Sequence, residues 1–309
     1  MPKTSPPNGA SQIGSEPNGT RPKSKQTGKQ SSCSPGLYLV ATPIGNARDI
    51  TLRALDILQA ADYIACEDTR VSGKLMAIHG IKKPLIAYHE HNADKVRPKL
   101  IEDLENGKTV ALISDAGTPL ISDPGFKLVR DCREKGLPLY PLPGASSVMA
   151  ALVLAGLPTD RFLFAGFLPA KQVARQNFLE DLKGIDSTLV LFESAKRIAA
   201  CLADAAQVLG EREATVCREL TKLYEEARNG SLAELAAHYA EAPTPKGEIV
   251  LVIGPPGESA PLDQEAIDSQ LIKALAQYKV KEAAALVAGA TGLTKRDLYQ
   301  RALELKKDA

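Results

Sequence analysis

Apolar positions along the chain come in short runs, separated by stretches with helical spacing. Leu37-Tyr38-Leu39-Val40-Ala41, Tyr63-Ile64-Ala65-Cys66, Leu85-Ile86-Ala87-Tyr88, Thr109-Val110-Ala111-Leu112-Ile113 and Leu137-Pro138-Leu139-Tyr140 read as buried strands. Residues 52–58, 73–79, 94–105 and 126–133 between them carry apolar side chains at three- and four-residue steps, and 145–155 closes the set, so five helices are predicted. Strand and helix in alternation predict an α/β fold, with a mainly parallel sheet covered on both faces.

The pattern pauses at Gly156-Leu157-Pro158-Thr159 and resumes as a second α/β segment. Phe162-Leu163-Phe164-Ala165-Gly166, Thr188-Leu189-Val190-Leu191-Phe192, Ala214-Thr215-Val216-Cys217 and Glu248-Ile249-Val250-Leu251-Val252-Ile253 read as strands, and 171–183, 195–209 and 231–241 as helices. A further strand at 223–228 gives this segment antiparallel character. Gly254-Pro255-Pro256-Gly257 ends it. The expected organisation is a disordered tail over 1–35, α/β domains at 36–157 and 158–256, and a helical appendage at 263–309. In the appendage, 283–288 leads through Gly289 and Thr291-Gly292-Leu293 to Thr294-Lys295-Arg296-Asp297-Leu298-Tyr299. This resembles a helix-turn-helix unit in which Thr294 and Asp297 form a capping box. Its charges nearly balance, which suits docking or oligomerisation as well as RNA contact.

Composition narrows the classes. A chain of 309 residues that is 44% hydrophobic has room for two domains. A net charge of +1 argues against nucleic-acid binding by bulk charge and leaves room for a local basic patch. The tail is nearly devoid of apolar residues, so it cannot offset the entropy of ordering. It sets Lys3, Arg21, Lys23, Lys25 and Lys29 against Glu16, which fits an auxiliary RNA contact. It lacks the apolar core of a secretory signal. The five cysteines are scattered, with no C-x-x-C, as expected of a reduced, cytoplasmic protein. No apolar run approaches the roughly 20 residues of a membrane span. With no Trp and 5% aromatic residues, stacking platforms are scarce.

The candidate chemistry gathers in three loops at strand ends. Thr109–Ile113 empties into Ser114-Asp115-Ala116-Gly117-Thr118-Pro119-Leu120-Ile121-Ser122-Asp123-Pro124-Gly125, small and polar, ahead of a helix. Thr42-Pro43-Ile44-Gly45-Asn46 and Pro143-Gly144-Ala145-Ser146-Ser147 follow two other strands of the same sheet. Loops at the carboxyl ends of parallel strands open on one edge, where α/β proteins take ligands. Backbone donors, carboxylates and small apolar surfaces suit a nucleoside-bearing ligand with a charged tail. None of the three is a G-x-G-x-x-G. Asn106-Gly107-Lys108-Thr109 is not a P-loop, because position 102 is Glu and the helix-to-strand order is reversed. His89-Glu90-His91 has no further ligand cluster to complete a metal site. Gly144-Ala145-Ser146-Ser147 lacks the second glycine of a nucleophile elbow and reads better as a helix N-terminus with free N–H groups.

These residues resemble the tetrapyrrole methylase family. The Thr-Pro-Ile-Gly-Asn form of the first loop is similar to that of its ribosomal RNA small-subunit methyltransferase I group. Glu67-Asp68-Thr69-Arg70, Tyr88-His89-Glu90-His91-Asn92, the 114–125 loop, Gly166-Phe167-Leu168-Pro169-Ala170-Lys171 and Arg218-Glu219-Leu220-Thr221-Lys222 carry the same resemblance in the same order. It runs from about 36 to 254, and the appendage resembles the group's C-terminal unit. Two segments depart. Phe192-Glu193-Ser194-Ala195-Lys196-Arg197 stands where relatives often have Tyr-Glu-Ser-Pro-His-Arg, and Ala145-Ser146-Ser147 stands where Pro-Cys or Pro-Ser is common.

The resemblance implies a two-domain methylase fold, a homodimer, and S-adenosylmethionine bound between the domains. It implies methylation of the ribose 2′-hydroxyl of a cytidine (position 1402) in 16S ribosomal RNA of the 30S subunit. Carried onto this chain, the cofactor contacts are Ile44, Asp115, Thr118, Ser146 and Ser147. Base candidates for the hydroxyl proton are Glu67, Asp68, Glu90 and His91, each equally suited to orienting RNA or holding Arg70. Arg70, Lys171, Lys196 and Arg197 are candidates for RNA phosphates. The alternatives are a tetrapyrrole carbon methyltransferase, whose first loop would carry Gly-Pro-Gly-Asp-Pro, and a non-catalytic RNA-binding module using the appendage.

Overall fold

The computed structural model describes residues 33–122, 125–257, 264–291 and 293–307. The expected tail disorder, the Asp123-Pro124 pair and Gly292 of the appendage turn lie outside them, save that 33–35 lead directly into the first strand.

The first α/β segment builds a five-stranded sheet, entirely parallel, in the order β3-β2-β4-β1-β5. Its strands are β1 (Gly36–Val40), β2 (Tyr63–Cys66), β3 (Leu85–Ala87), β4 (Thr109–Ile113) and β5 (Leu139–Leu142). The alternation inside β4 explains its two layers. Val110 and Leu112 meet Leu100, Leu104 and Leu128 on one face, while Ala111 and Ile113 meet Leu58 and Met76 on the other. The covering helices are α1 (Leu52–Ala60) and α2 (Thr69–Ile78) on one side, and α3 (Ala93–Glu105) and α4 (Phe126–Glu134) on the other. Helix α2 begins four residues before the expected 73, because the Asp68 side chain caps it by accepting from the Arg70 N–H at 2.8 Å.

Helix α5 (Ser147–Ala155) leaves β5 and packs on the second sheet. That sheet runs β6-β7-β10-β8-β9, with β6 (Phe162–Phe167), β7 (Thr188–Ser194), β8 (Glu213–Arg218), β9 (Glu226–Ser231) and β10 (Glu248–Ile253). Only β6 and β7 pair in parallel; every other pairing is antiparallel, well beyond the one strand expected. Leu189, Leu191, Ile249 and Leu251 face the helices α6 (Gln172–Leu182), α7 (Ile198–Leu209) and α8 (Leu232–Glu241). Val190, Val250 and Val252 face Val148, Ala151 and Leu152 of α5. Burial accounts for that face of α5, while Met149, Val153 and Leu154 on its other side stay exposed.

The C-terminal residues form α9 (Gln264–Leu275), α10 (Val280–Thr291) and α11 (Lys295–Lys307) around Leu271, Ala283, Val287, Leu298 and Ala302. Gly289 lies inside α10 rather than in a turn. Thr294 accepts from the Asp297 N–H at 3.3 Å, and the two side chains meet at 2.5 Å.

Two local contacts set the shape around the loops. Arg175 and Asp204 form a buried pair, 5% and 2% exposed, with Nη2 to Oδ2 at 2.5 Å. Gln172 and Gln176 also donate to Asp204, and Arg175 holds the Pro169 and Ala170 carbonyls, fixing the turn after β6. Burial would raise the Asp204 carboxyl, but these donors overrule it and hold the group below the usual range. At the second contact, Gly45 of the first loop lies against the turn after β8. A Cβ there would meet Leu220 O at 2.9 Å, Thr221 Oγ1 at 2.7 Å and Lys222 Cγ at 2.5 Å.

Asp204→Ala strands the Arg175 charge, so a loss of about 3–5 kcal/mol of unfolding free energy is expected in urea titrations. With the folded carboxyl pKa depressed, its stabilisation is present above the ordinary Asp range and lost as pH falls through the folded value. Equal urea midpoints for parent and variant at neutral pH would contradict this. Gly45→Ala drives a methyl into the Lys222 and Thr221 side chains and the Leu220 carbonyl and should cost about 1–3 kcal/mol, seen as a lowered Tm; an unchanged Tm would mean the two loops separate freely.

Candidate active site

Strands β1, β4 and β5 are neighbours, so the loops that follow them open together as expected. They are also tied to one another. Thr42 and Gly117 exchange backbone hydrogen bonds at 2.9 and 3.0 Å, and Thr42 Oγ1 donates to the Ser114 carbonyl at 3.1 Å. Thr118 Oγ1 donates to the Ala145 carbonyl at 3.4 Å. Gly117 holds φ at 78°, a left-handed conformation that suits glycine. Leu120 and Ser122 hold φ at 74° and 64°, a region few non-glycine residues occupy.

Against these loops lies a cleft of about 360 Å³. Ile44, Thr118, Ser146 and Ser147 line one side; Phe192, Glu193, Leu220 and Glu248 line the other. Four of the five expected cofactor residues thus converge. Asp115 is not on that lining: its neighbours Ala116 and Gly117 are, while Asp115 Oδ1 accepts from the Asp68 N–H at 3.1 Å. Ser146 caps α5 by accepting from Met149 N–H at 3.4 Å, so the start of α5 faces the cleft through Ser146, Ser147 and Val148.

The second-sheet wall also carries residues with no role assigned from the sequence. Glu193 is 3% exposed, with every donor accounted for: Ser194 N–H at 2.7 Å, Arg197 Nη2 at 2.7 Å and the Cys201 thiol at 2.6 Å. Burial and the Glu193 carboxylate push the Cys201 thiol up to about 12. The signal was present, since a lone acid ends the apolar run of β7. Arg197, expected on a phosphate, donates through Nη2 to Glu193 and the Leu168 carbonyl, with its side chain half-buried. At the rim, Phe167 and Phe164 both set edge-to-face against Phe192, with centroids at 5.3 and 4.8 Å. Lys222 bridges Glu219 at 2.8 Å and Glu248 at 2.9 Å, in a turn where Glu219 and Thr221 take positive φ.

Beside the cleft, the ends of β2, β3 and β4 bring Glu67, His89 and Asp115 to one edge. Tyr88 N–H reaches the Cys66 carbonyl at 2.7 Å, continuing the β2–β3 register to His89. Burial raises the Glu67 carboxyl and the Asp115 carboxylate raises it further, against the Asp115 backbone and His89. Burial likewise raises Asp115. The adjacent Asp68 goes the other way: Arg70, at 2.6 Å, holds it at about 2. His89 Nδ1 is buried with no hydrogen-bond partner. Glu90 and His91 are exposed, as are Arg70, Lys171 and Lys196.

Comparison with known proteins agrees with this architecture. The family model for Tetrapyrrole (Corrin/Porphyrin) Methylases matches residues 36–236, and that for the RsmI C-terminal HTH domain matches 261–306. A protein of Mesorhizobium japonicum named ribosomal RNA small subunit methyltransferase I is 54% identical over 274 residues, 88% of this chain and 92% of the relative. The protein of that name from Haemophilus influenzae is 47% identical, over 85% of this chain and 95% of its own. Among solved structures, a diphthine synthase aligns with a TM-score of 0.56 at 19% identity, over 71% of this chain and 89% of that one. A cobalt precorrin-4 methyltransferase aligns with a TM-score of 0.54, also at 19% identity, over 71% and 94%. The two sheets, the cleft between their loops and identity near one half along nearly the whole of the relatives make this chain a member of the tetrapyrrole methylase family, in its ribosomal RNA small subunit methyltransferase I group.

Proposed function

We propose that this chain uses S-adenosylmethionine to methylate the ribose 2′-hydroxyl of a cytidine in the 16S ribosomal RNA of the small subunit. The observation that carries the reading is the 54% identity to a relative named ribosomal RNA small subunit methyltransferase I along 92% of its length. The domains at 36–157 and 158–256 supply the two walls of the cleft.

The residues present fit the cofactor. A 360 Å³ cleft is within the usual range for a small-molecule site. Ile44, Val148 and Leu220 offer apolar surface to a purine, while Thr118, Ser146, Ser147 and the first amides of α5 offer hydrogen bonds and a positive helix end to a carboxylate. Asp115 serves from behind, fixing the loop through the Asp68 N–H. When bound, S-adenosylmethionine supplies a sulfonium methyl that needs in-line placement rather than further activation.

The chain's own task is then to place the hydroxyl and take its proton. Glu67 is the base. It is half-buried, its carboxyl is raised, and Asp115 and His89 stand beside it. Asp68 is unsuited, since Arg70 holds it at about 2. Glu90 and His91 are exposed residues of the next loop and orient RNA. Arg70, Lys171 and Lys196 take phosphates from the surface, where a cation fixes register without reading sequence. Arg197 holds Glu193 and shapes the wall.

The partner for self-association is a second copy. Met149, Val153 and Leu154 of α5 are 47%, 73% and 44% exposed, an apolar strip suited to a homodimer. All five cysteines are free thiols, as fits the cytoplasm.

Incubation with labelled S-adenosylmethionine and 30S subunits, free 16S RNA or a tetrapyrrole tests the reading; label on the tetrapyrrole alone, or on nothing, would overturn it. Thr118→Tyr puts bulk at the exposed mouth and should weaken cofactor binding at least about ten-fold by calorimetry, with Tm unchanged. Glu67→Gln should lower turnover roughly 10²–10⁴-fold and leave cofactor affinity intact. With the parent, activity should rise with pH through a Glu67 value above the ordinary carboxylate range. Asp115→Asn removes a neighbouring negative charge, so that limb should move to lower pH; a limb that stays put contradicts the assignment.

A further inference from the structure

A second concavity lies outside the cleft, on α4. It is an open depression of about 420 Å³ lined by Phe126, Val129, Arg130, Arg133 and Glu134. Positions 126, 130 and 133 fall on one face of the helix, a turn apart. The Phe126 side chain is 68% exposed, and the Arg130 guanidinium lies 6.0 Å from its ring centroid. The cations here are weakly committed: Lys127 approaches Asp94, and Arg130 approaches Glu134, each at 3.7 Å. The other acid of the helix, Asp131, is turned away to Arg97 of α3 at 2.9 Å. The outward face therefore sets Lys127, Arg130 and Arg133 against Glu134 and, from α3, Asp94.

An exposed aromatic ring is costly in water unless something covers it, and its cationic surroundings select an anionic partner over an apolar one. A base stacked on an aromatic ring with its phosphates on arginines meets both requirements. The location fits as well. Ile121 and Ser122, in the segment that leads into α4, line the cleft.

We infer that this face of α4 is a stacking site for an unpaired nucleotide of the RNA substrate, with the base on Phe126 and the adjoining phosphates on Arg130 and Arg133. The inference rests on the RNA-methylating function proposed above. It makes Phe126 a residue that holds the RNA beside the cleft rather than one that touches the reacting atoms.

The test uses the full-length protein and measures binding of 16S RNA and of 30S subunits across a salt series. Phe126→Ala should weaken binding about five- to hundred-fold, and Phe126→Tyr should restore it. Arg130→Ala should weaken binding and flatten the slope of log K against log salt by roughly 0.7–0.9. Cofactor affinity should be the same in all three variants, since none of these residues lines the cleft. Parent-like RNA binding by Phe126→Ala overturns the inference. So does a change confined to oligomeric state in sedimentation, which would assign the face to protein contact. If the parent labels neither 30S subunits nor 16S RNA, the function fails; if it labels them and the variants bind as the parent does, only the α4 site fails.

Discussion

The close approach of Gly45 to the turn at Leu220–Lys222 is the contact on which the cleft depends. The first loop belongs to β1 and the turn to β8, so this is where the loops of one sheet meet the edge of the other. It is secured twice: a missing side chain lets the backbones touch, and the Asn46 N–H donates to Thr221 Oγ1 at 3.0 Å. Thr221 can present that oxygen because it accepts a left-handed φ of 64°, with its own N–H held by Glu225. Lys222 then ties the turn to Glu219 and Glu248. Strain in the turn is stabilised by its own charges, and the ligand wall inherits the result.

The second sheet also uses buried carboxylates for this purpose. Asp204 fixes the turn after β6 through Arg175, and Glu193 fixes the turn after β7 through Arg197. Each is nearly inaccessible, so desolvation is expensive and only a full set of donors makes the charge tolerable. That requirement gives shape: a carboxylate needing several donors admits few arrangements of the backbone that supplies them. The exposed pairs, such as Arg161 with Asp186, lack this consequence because water competes for both partners.

Much of the first sheet was legible because its signals are local. Strict alternation in β4 assigns its two faces, and the polar, small loops at strand ends can only be surface. Where the structure departs from the reading, the cause is non-local. Strand β9 spells Glu-Ala-Arg-Asn-Gly-Ser, with no apolar run, and pairs because β8 lies beside it. Strand β10 enters the middle of its sheet from the end of the segment, and nothing in its own sequence says so. Arg197 reads as a free cation in sequence because Glu193 and the Leu168 carbonyl reach it only after folding. The early start of α2 was legible in principle, since Asp68 is a good cap ahead of Thr69.

The acids at the sheet edge show how placement alone divides labour. Glu67 and Asp68 are adjacent in sequence and would titrate almost together in a free peptide. Asp68 faces out, where it gains Arg70 and the α2 amide, and is held ionised. Glu67 stays half-buried beside a second carboxylate and is held towards its protonated form. A pair driven apart in this way separates a fixed anion from a group able to exchange a proton. The separation follows from strand register: β2 and β4 are neighbours, so the residues beyond them, Glu67 and Asp115, must share an edge. His89, brought to that edge by β3, adds a buried nitrogen with no partner within the fold. Such a nitrogen is satisfied when a ligand supplies the missing hydrogen bond, and this supports the acceptor edge proposed above.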